Sequence, residues 1–183
     1  MHSSIHTTKT GQELCVREAI PDDSAKLIAF LEDTSGESDN LSFGPGEFGT
    51  SEEEERKILE DLLKADSNIH LIALIDDEIV GEIGFNTGKR KRISHCGEFG
   101  MCVRKQFWKS GIGGILVDSL IRWAEQQGTI HKINLSVRTD NLPAIGLYLK
   151  KGFLIEGRIL DSLRVDGRSF DTYRMGRRIE PIA

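Results

Sequence analysis

The sequence is poor in the features that announce covalent frames, metal sites and membrane spans. Its three cysteines, Cys15, Cys96 and Cys102, are isolated, with no C-x-x-C pair. That excludes a disulfide framework or a cysteine zinc site and points to a reducing compartment; no metal is expected. No apolar run approaches the length of a membrane helix, and Leu71 to Ile75 is among the longest. Residues 1–12 have no apolar signal core and read as a polar N-terminal extension, so cytoplasmic residence is expected. Internal repeats are absent, and so is the P-loop pattern G-x-x-x-x-G-K-[ST].

What is present fits one domain over residues 13–183, long enough to bury a single core. The net charge of -5 is unevenly spread. Residues 1–100 hold 10 Lys+Arg against 21 Asp+Glu, and residues 101–183 hold 14 against 8. A basic half suits an anionic cofactor and an acidic half a cationic acceptor; solvated faces are the plainer reading of any single charge run.

Alternation and turn residues predict a strand at Glu13 to Glu18, then a helix opened by Pro21-Asp22-Asp23 with Leu27, Ile28, Phe30 and Leu31 on its apolar face. Thr34 to Thr50 lacks periodicity and reads as a substrate lid carrying Phe43 and Phe48, a disordered loop, or plain surface packing. Ser51 and Glu54 form a capping box for a helix that buries Ile58, Leu59, Leu62 and Leu63. Ile69 to Ile75 and Glu78 to Phe85 make a hairpin around Asp76-Asp77. Lys89 to Arg92 read as a solvated tip, with nucleic acid or cofactor phosphate as the rival reading. A strand at His95 to Val103 follows. The chain closes with a strand from Ile130 to Val137, a helix after Asn141, and a hairpin of Phe153 to Leu160 with Ser169 to Arg174.

Between the strand ending at Val103 and the next helix lies Trp108-Lys109-Ser110-Gly111-Ile112-Gly113-Gly114. The helix begins near Gly113, because Ile112, Leu116, Leu120 and Trp123 recur at helical steps and Gly128 ends them. Its first N–H groups have no intrahelical partner, and glycines allow an anion close to the backbone. This is a phosphate-binding turn. A dinucleotide fingerprint would need glycine where Leu116 stands, and an acidic residue near His131-Lys132-Ile133-Asn134.

The loop resembles the acyl-CoA loop of the GNAT N-acetyltransferase superfamily, [Q/R]-x-x-G-x-[G/A], with Trp108 in the first position as in many bacterial members. A second motif about 30 residues on carries more weight. Asn141, Ala144, Leu147, Tyr148, Gly152 and Phe153 match N-x-x-A-x-x-L-Y-x-x-x-G-F at every named position. The resemblance implies an α/β fold with a mixed, mostly antiparallel central sheet flanked by helices, in the order β-α-α-β-β-β-α-β-α-β-β. It implies direct acetyl transfer from acetyl-CoA to a primary amine, whether of a small amine, a polyamine, a protein or a peptide. The alternative is a non-catalytic acyl-CoA-binding or sensing module of the same fold. Partners expected are an amine acceptor and, optionally, a second copy as a homodimer, with no membrane and no nucleic acid.

For the cofactor, the resemblance implies backbone at Lys109, Ser110, Gly111, Ile112, Gly113 and Gly114 on the pyrophosphate. It places Met101, Cys102 and Val103 beside the pantetheine arm as an added strand would be, with Asn141 bonded to that arm. Asn141 is equally a good helix cap, and Cys102 reads as a small buried hydrophobe. Glu98 shares a strand face with Gly100 and Cys102 and is the expected base, acting through a water with its pKa raised by partial burial. An ordinary strand carboxylate is the plainer reading of it. Glu82 is a weaker candidate, and His95 reads as structural. The resemblance puts Tyr148 near the cofactor sulfur as the acid that protonates the leaving thiolate, or else a core tyrosine.

Overall fold

The computed structural model describes residues 3–180. Its strands are β1 (Ser3–Thr7), β2 (Glu13–Glu18), β3 (Ile69–Ile75), β4 (Glu78–Thr87), β5 (Cys96–Val103), β6 (Lys132–Arg138), β7 (Leu154–Val165) and β8 (Arg168–Arg178). The α-helices are α1 (Ser24–Ser35), α2 (Glu52–Leu63), α3 (Ile112–Gln127) and α4 (Leu142–Lys150). One sheet runs β1-β2-β3-β4-β5-β6-β8-β7. Every neighbouring pair is antiparallel except β5 and β6. The mixed, mostly antiparallel sheet is therefore as expected.

Period-two alternation sorts the core into two layers. Leu71, Ala73, Ile83, Phe85 and Phe99 pack on one face with Leu116, Leu120 and Trp123 of α3 and Tyr148 of α4. Ile72, Leu74 and Cys102 face the other way, against Leu27, Phe30 and Leu31 of α1 and Leu59 of α2. Tight turns set the registers. Asp76 and Asp77 both take left-handed backbone, φ 49° and 63°, in the β3–β4 hairpin, and Asp166 and Gly167 do so between β7 and β8.

Four details differ from the sequence pattern. Ser3–Thr7, within the stretch read as a polar extension, is an edge strand paired with Glu13 to Arg17 of β2. It has no buried apolar alternation, so periodicity is blind to it. The order thus begins β-β. On α2 the buried face is Glu55 and Leu59, while Ile58 and Leu63 are exposed. In the last hairpin β7 runs past Leu160 to Val165 and β8 past Arg174 to Arg178, because β7 is exposed almost throughout and alternation cannot mark its limits. Finally, the irregular stretch starts after α1 ends at Ser35. There the Phe43 and Phe48 rings meet at a tilt, with centroids 5.5 Å apart, and pack on the α1–α2 core.

Candidate active site

β5 and β6 run side by side for only three residue pairs, Cys96 with Lys132, Gly97 with Ile133, and Glu98 with Asn134. Beyond them the strands part. β5 continues to Val103 paired only with β4, and β6 continues to Arg138 paired only with β8. Alternate backbone N–H and C=O groups of both strands therefore face a gap instead of a neighbour. The gap is the wall of a cleft of about 1270 Å³ that reaches from the start of α3 to the irregular segment after α1.

Glycine and a left-handed backbone shape the α3 end of this cleft. Lys109 has φ 64° and Gly111 φ 96°, and Gly111 is the residue before the helix, with no side chain to cap it. Turns of this kind gather successive N–H groups into an anion-binding concavity, and the helix dipole adds to it. A Cβ on Gly113 would stand 3.4 Å from Met101 Cε and 3.5 Å from Leu147 Cδ2. Ile112 is buried in the core, so only its backbone is available to a ligand. The Ser110 hydroxyl donates to the Phe107 carbonyl at 2.5 Å. Trp108, where the superfamily pattern has Gln or Arg, donates its indole N–H to the Val103 carbonyl at 2.7 Å and ties the loop to the end of β5. The β1–β2 turn, which no sequence pattern links to this loop, braces it through the Lys9 N–H on the Ser110 carbonyl at 2.8 Å.

Tyr148 lines the cleft from α4, packed edge-on against Phe99 and Phe153. Burial pushes its phenol well above the ordinary value, so it is neutral and keeps its proton. Asn141 accepts the Ala144 N–H at 3.3 Å and so caps α4, which leaves its amide N–H group for a ligand. Met101 and Val103 are partly buried and pack against the core. Cys102 is buried, and burial first, then the charge of Glu82, holds its thiol protonated.

Glu98 also lines the cleft, but the partial burial expected of it is not found. Its side chain is 45% exposed, 2.5 Å from Arg174 Nη1, and accepts the Ser136 hydroxyl at 3.0 Å. The buried carboxylate on this face is Glu82, whose Oε2 lies 3.0 Å from His70 Nε2 and whose Oε1 accepts the Cys102 thiol at 3.4 Å. Burial works to lower the His70 pKa, but the close contact and charge of Glu82 and the charge of Glu55 outweigh it and leave it raised. Glu55, on α2, is raised in turn, chiefly by burial. Three titratable groups beneath one cleft were not readable from single positions; the signal available was the alternation of His70 and Glu82 on paired strands. Arg138 holds the irregular segment in place, with two bonds to Asp140 and one to the Asp39 carbonyl, its guanidinium 3.6 Å from the Phe170 ring centroid. Lys89 to Arg92 sit exposed on the turn between β4 and β5.

Residues 36–153 match the family model described as acetyltransferase (GNAT) family. The chain belongs to the GNAT family. A GNAT acetyltransferase from Streptococcus pneumoniae superposes with a TM-score of 0.88 at 34% identity, over 91% of this chain and 99% of that one. The L-amino acid N-acetyltransferase AaaT of Escherichia coli is 35% identical over 58% of this GNAT chain and 66% of its own length. An N-acetyltransferase, p20, of Bacillus licheniformis is 28% identical over 53% of each. The match thus spans less than two thirds of these curated relatives. Among the described residues no helix is long and apolar enough to cross a membrane.

Proposed function

We propose that the protein is an acetyl-CoA-dependent N-acetyltransferase whose acceptor is a small primary amine. The observation that carries this reading is the parting of β5 and β6 directly above the uncapped start of α3. An extended thioester arm pairs with free strand backbone in the gap, while the pyrophosphate sits on the amides of Lys109 to Gly114. Acetyl-CoA supplies the activated acyl group when bound. The chain's own residues manage protons. Glu98, fixed by Arg174 and Ser136 yet open to solvent, takes the ammonium proton through a water, and Tyr148, neutral and lining the cleft, is the acid for the departing thiolate. The likeness to AaaT makes L-amino acids the first acceptors to try.

The test is acetyl-CoA consumption over a panel of amino acids, polyamines, amino sugars and peptides, beside calorimetric acetyl-CoA binding. Tight binding without turnover on any amine favours the alternative reading, a non-catalytic acyl-CoA sensor. For assembly we propose a homodimer along β7, which is the sheet's last strand and exposes Leu154, Ile155, Ile159 and Leu160. Size measurement in solution checks it.

A further inference from the structure

Of the three carboxylates that line the cleft, Glu37 accepts the Lys105 N–H, and the other two, Glu82 and Glu98, stand on one face of the sheet with a bare floor between them. Glu98 lies opposite Asn86, Gly100 opposite Gly84, and Cys102 opposite Glu82. Alternation puts all six on the same side. Glu82 is thus four positions along from Glu98, about 13 Å at the rise of a strand. The pair between them is glycine facing glycine. A Cβ on Gly100 would touch nothing within 4 Å, so the space above it is open, and one on Gly84 would meet only the His70 ring and Glu82 at ordinary contact distances. The trough therefore has a carboxylate at each end and a floor without side chains.

The two ends differ in how their charge is held. Glu98 is matched by Arg174 and is accessible to solvent. Glu82 is 7% exposed, yet it lines the cleft, and its partners are the His70 ring, the Cys102 thiol and, through space, a second carboxylate, Glu55. Burying these groups together is costly, and packing alone does not require it, because an apolar residue at 82 would join the neighbouring core more cheaply. A carboxylate so placed attracts a cation that enters the trough. It cannot serve the nitrogen that Glu98 deprotonates, because the two are too far apart.

We infer that Glu82 is the anchor for a second ammonium group of the acceptor, and that the acceptor class is a slender dication, a linear diamine or polyamine. His70 is a positioning residue that fixes the Glu82 carboxylate from below. The inference rests on the acetyltransferase reading and narrows its acceptor. The bare glycine floor accommodates a methylene chain, and the excess of acidic residues in the first hundred positions favours the same charge.

The experiment compares kcat/KM for linear α,ω-diamines of increasing length with n-alkylamines of the same lengths. The wild-type protein is expected to prefer the diamine roughly 10- to 100-fold, the weight of one charge-assisted contact. Glu82→Gln should erase that preference, bringing the ratio of diamine to alkylamine kcat/KM to about one, and His70→Gln should reduce it in the same sense. A purely structural role for Glu82 would instead lower both acceptors equally, and that result overturns the inference. So does a wild-type protein that treats the two series alike, or a Glu82→Gln protein that keeps the preference. Should Glu82→Gln not fold, His70→Gln decides by the same ratio. A wild-type protein inactive on every amine refutes the acetyltransferase reading itself, an outcome distinct from activity without preference.

Discussion

At the start of α2 the Ser51 hydroxyl accepts the Glu54 N–H at 3.3 Å, and the Glu54 carboxylate accepts the Ser51 N–H at 2.9 Å. At the start of α3 the corresponding residue is Gly111, which has no side chain and makes no such bond. Both helices begin with the same surplus of N–H groups. One closes the surplus with its own residues and gains stability. The other leaves it open at the mouth of a cleft. An open helix start is completed by water or by a ligand, so the contrast is between a terminus closed by its own residues and one left available at a cleft.

The largest effect that sharpens this contrast lies on α4, beyond the open end. Tyr148→Phe removes only the hydroxyl, and turnover should fall roughly 10²–10⁴-fold with acetyl-CoA affinity unchanged, since the strand gap and the start of α3 do the binding. Steady-state kinetics beside calorimetry reads both; near-normal turnover removes Tyr148 as the acid. Next comes the open end itself. Gly113→Val should weaken acetyl-CoA by about 100-fold or more, the loss of a few charge-assisted bonds, and unchanged affinity in a folded variant breaks the comparison. At the closed end, Ser51→Ala should cost about 0.5–2 kcal/mol of stability in denaturant titration and leave acetyl-CoA affinity untouched.

The smallest effect is one of pH. The hydroxyl and N–H of Ser51 hold Glu54 below its ordinary 4.5. A depressed carboxylate contributes stability above its unfolded value and loses it as pH falls through the folded one. The stability gap between wild type and Ser51→Ala should therefore be full above about pH 4.5 and narrow in stronger acid. A gap that is constant down to low pH would show that the carboxylate takes no part.

Much of this was legible in the sequence because it is local. The capping box, the Asp76-Asp77 hairpin, the glycine-rich turn and the Asn141 to Phe153 motif each sit within a few residues of one another. What escaped reading is what the sheet brings together from far along the chain. Glu98 was assigned burial from its strand face, but Arg174 and Ser136, on β8 and β6, lie beside it in an open position. Glu82 ranked low because nothing near it in sequence shows His70 across one strand and Cys102 across the other. β1 is held by pairing alone, and its residues carry no apolar signal that a pattern search could use.

The brief contact between β5 and β6 has a mechanical consequence. Through the sheet, the strands before β5 and those after β6 are stitched to each other by three residue pairs only, and the shared core under α3 and α4 carries the remaining connection. This seam is where the backbone should open first on heating, with amide exchange fastest at Gly100 to Val103 and Leu135 to Arg138. A donor lodged in the seam adds stitches to both sides. The melting temperature should then climb with acetyl-CoA concentration, by the equivalent of about 2.7 kcal/mol at a hundred times its Kd. The gain in amide protection should be concentrated along the two parted strands rather than spread over the molecule, so that the substrate acts, while it is bound, as part of the fold.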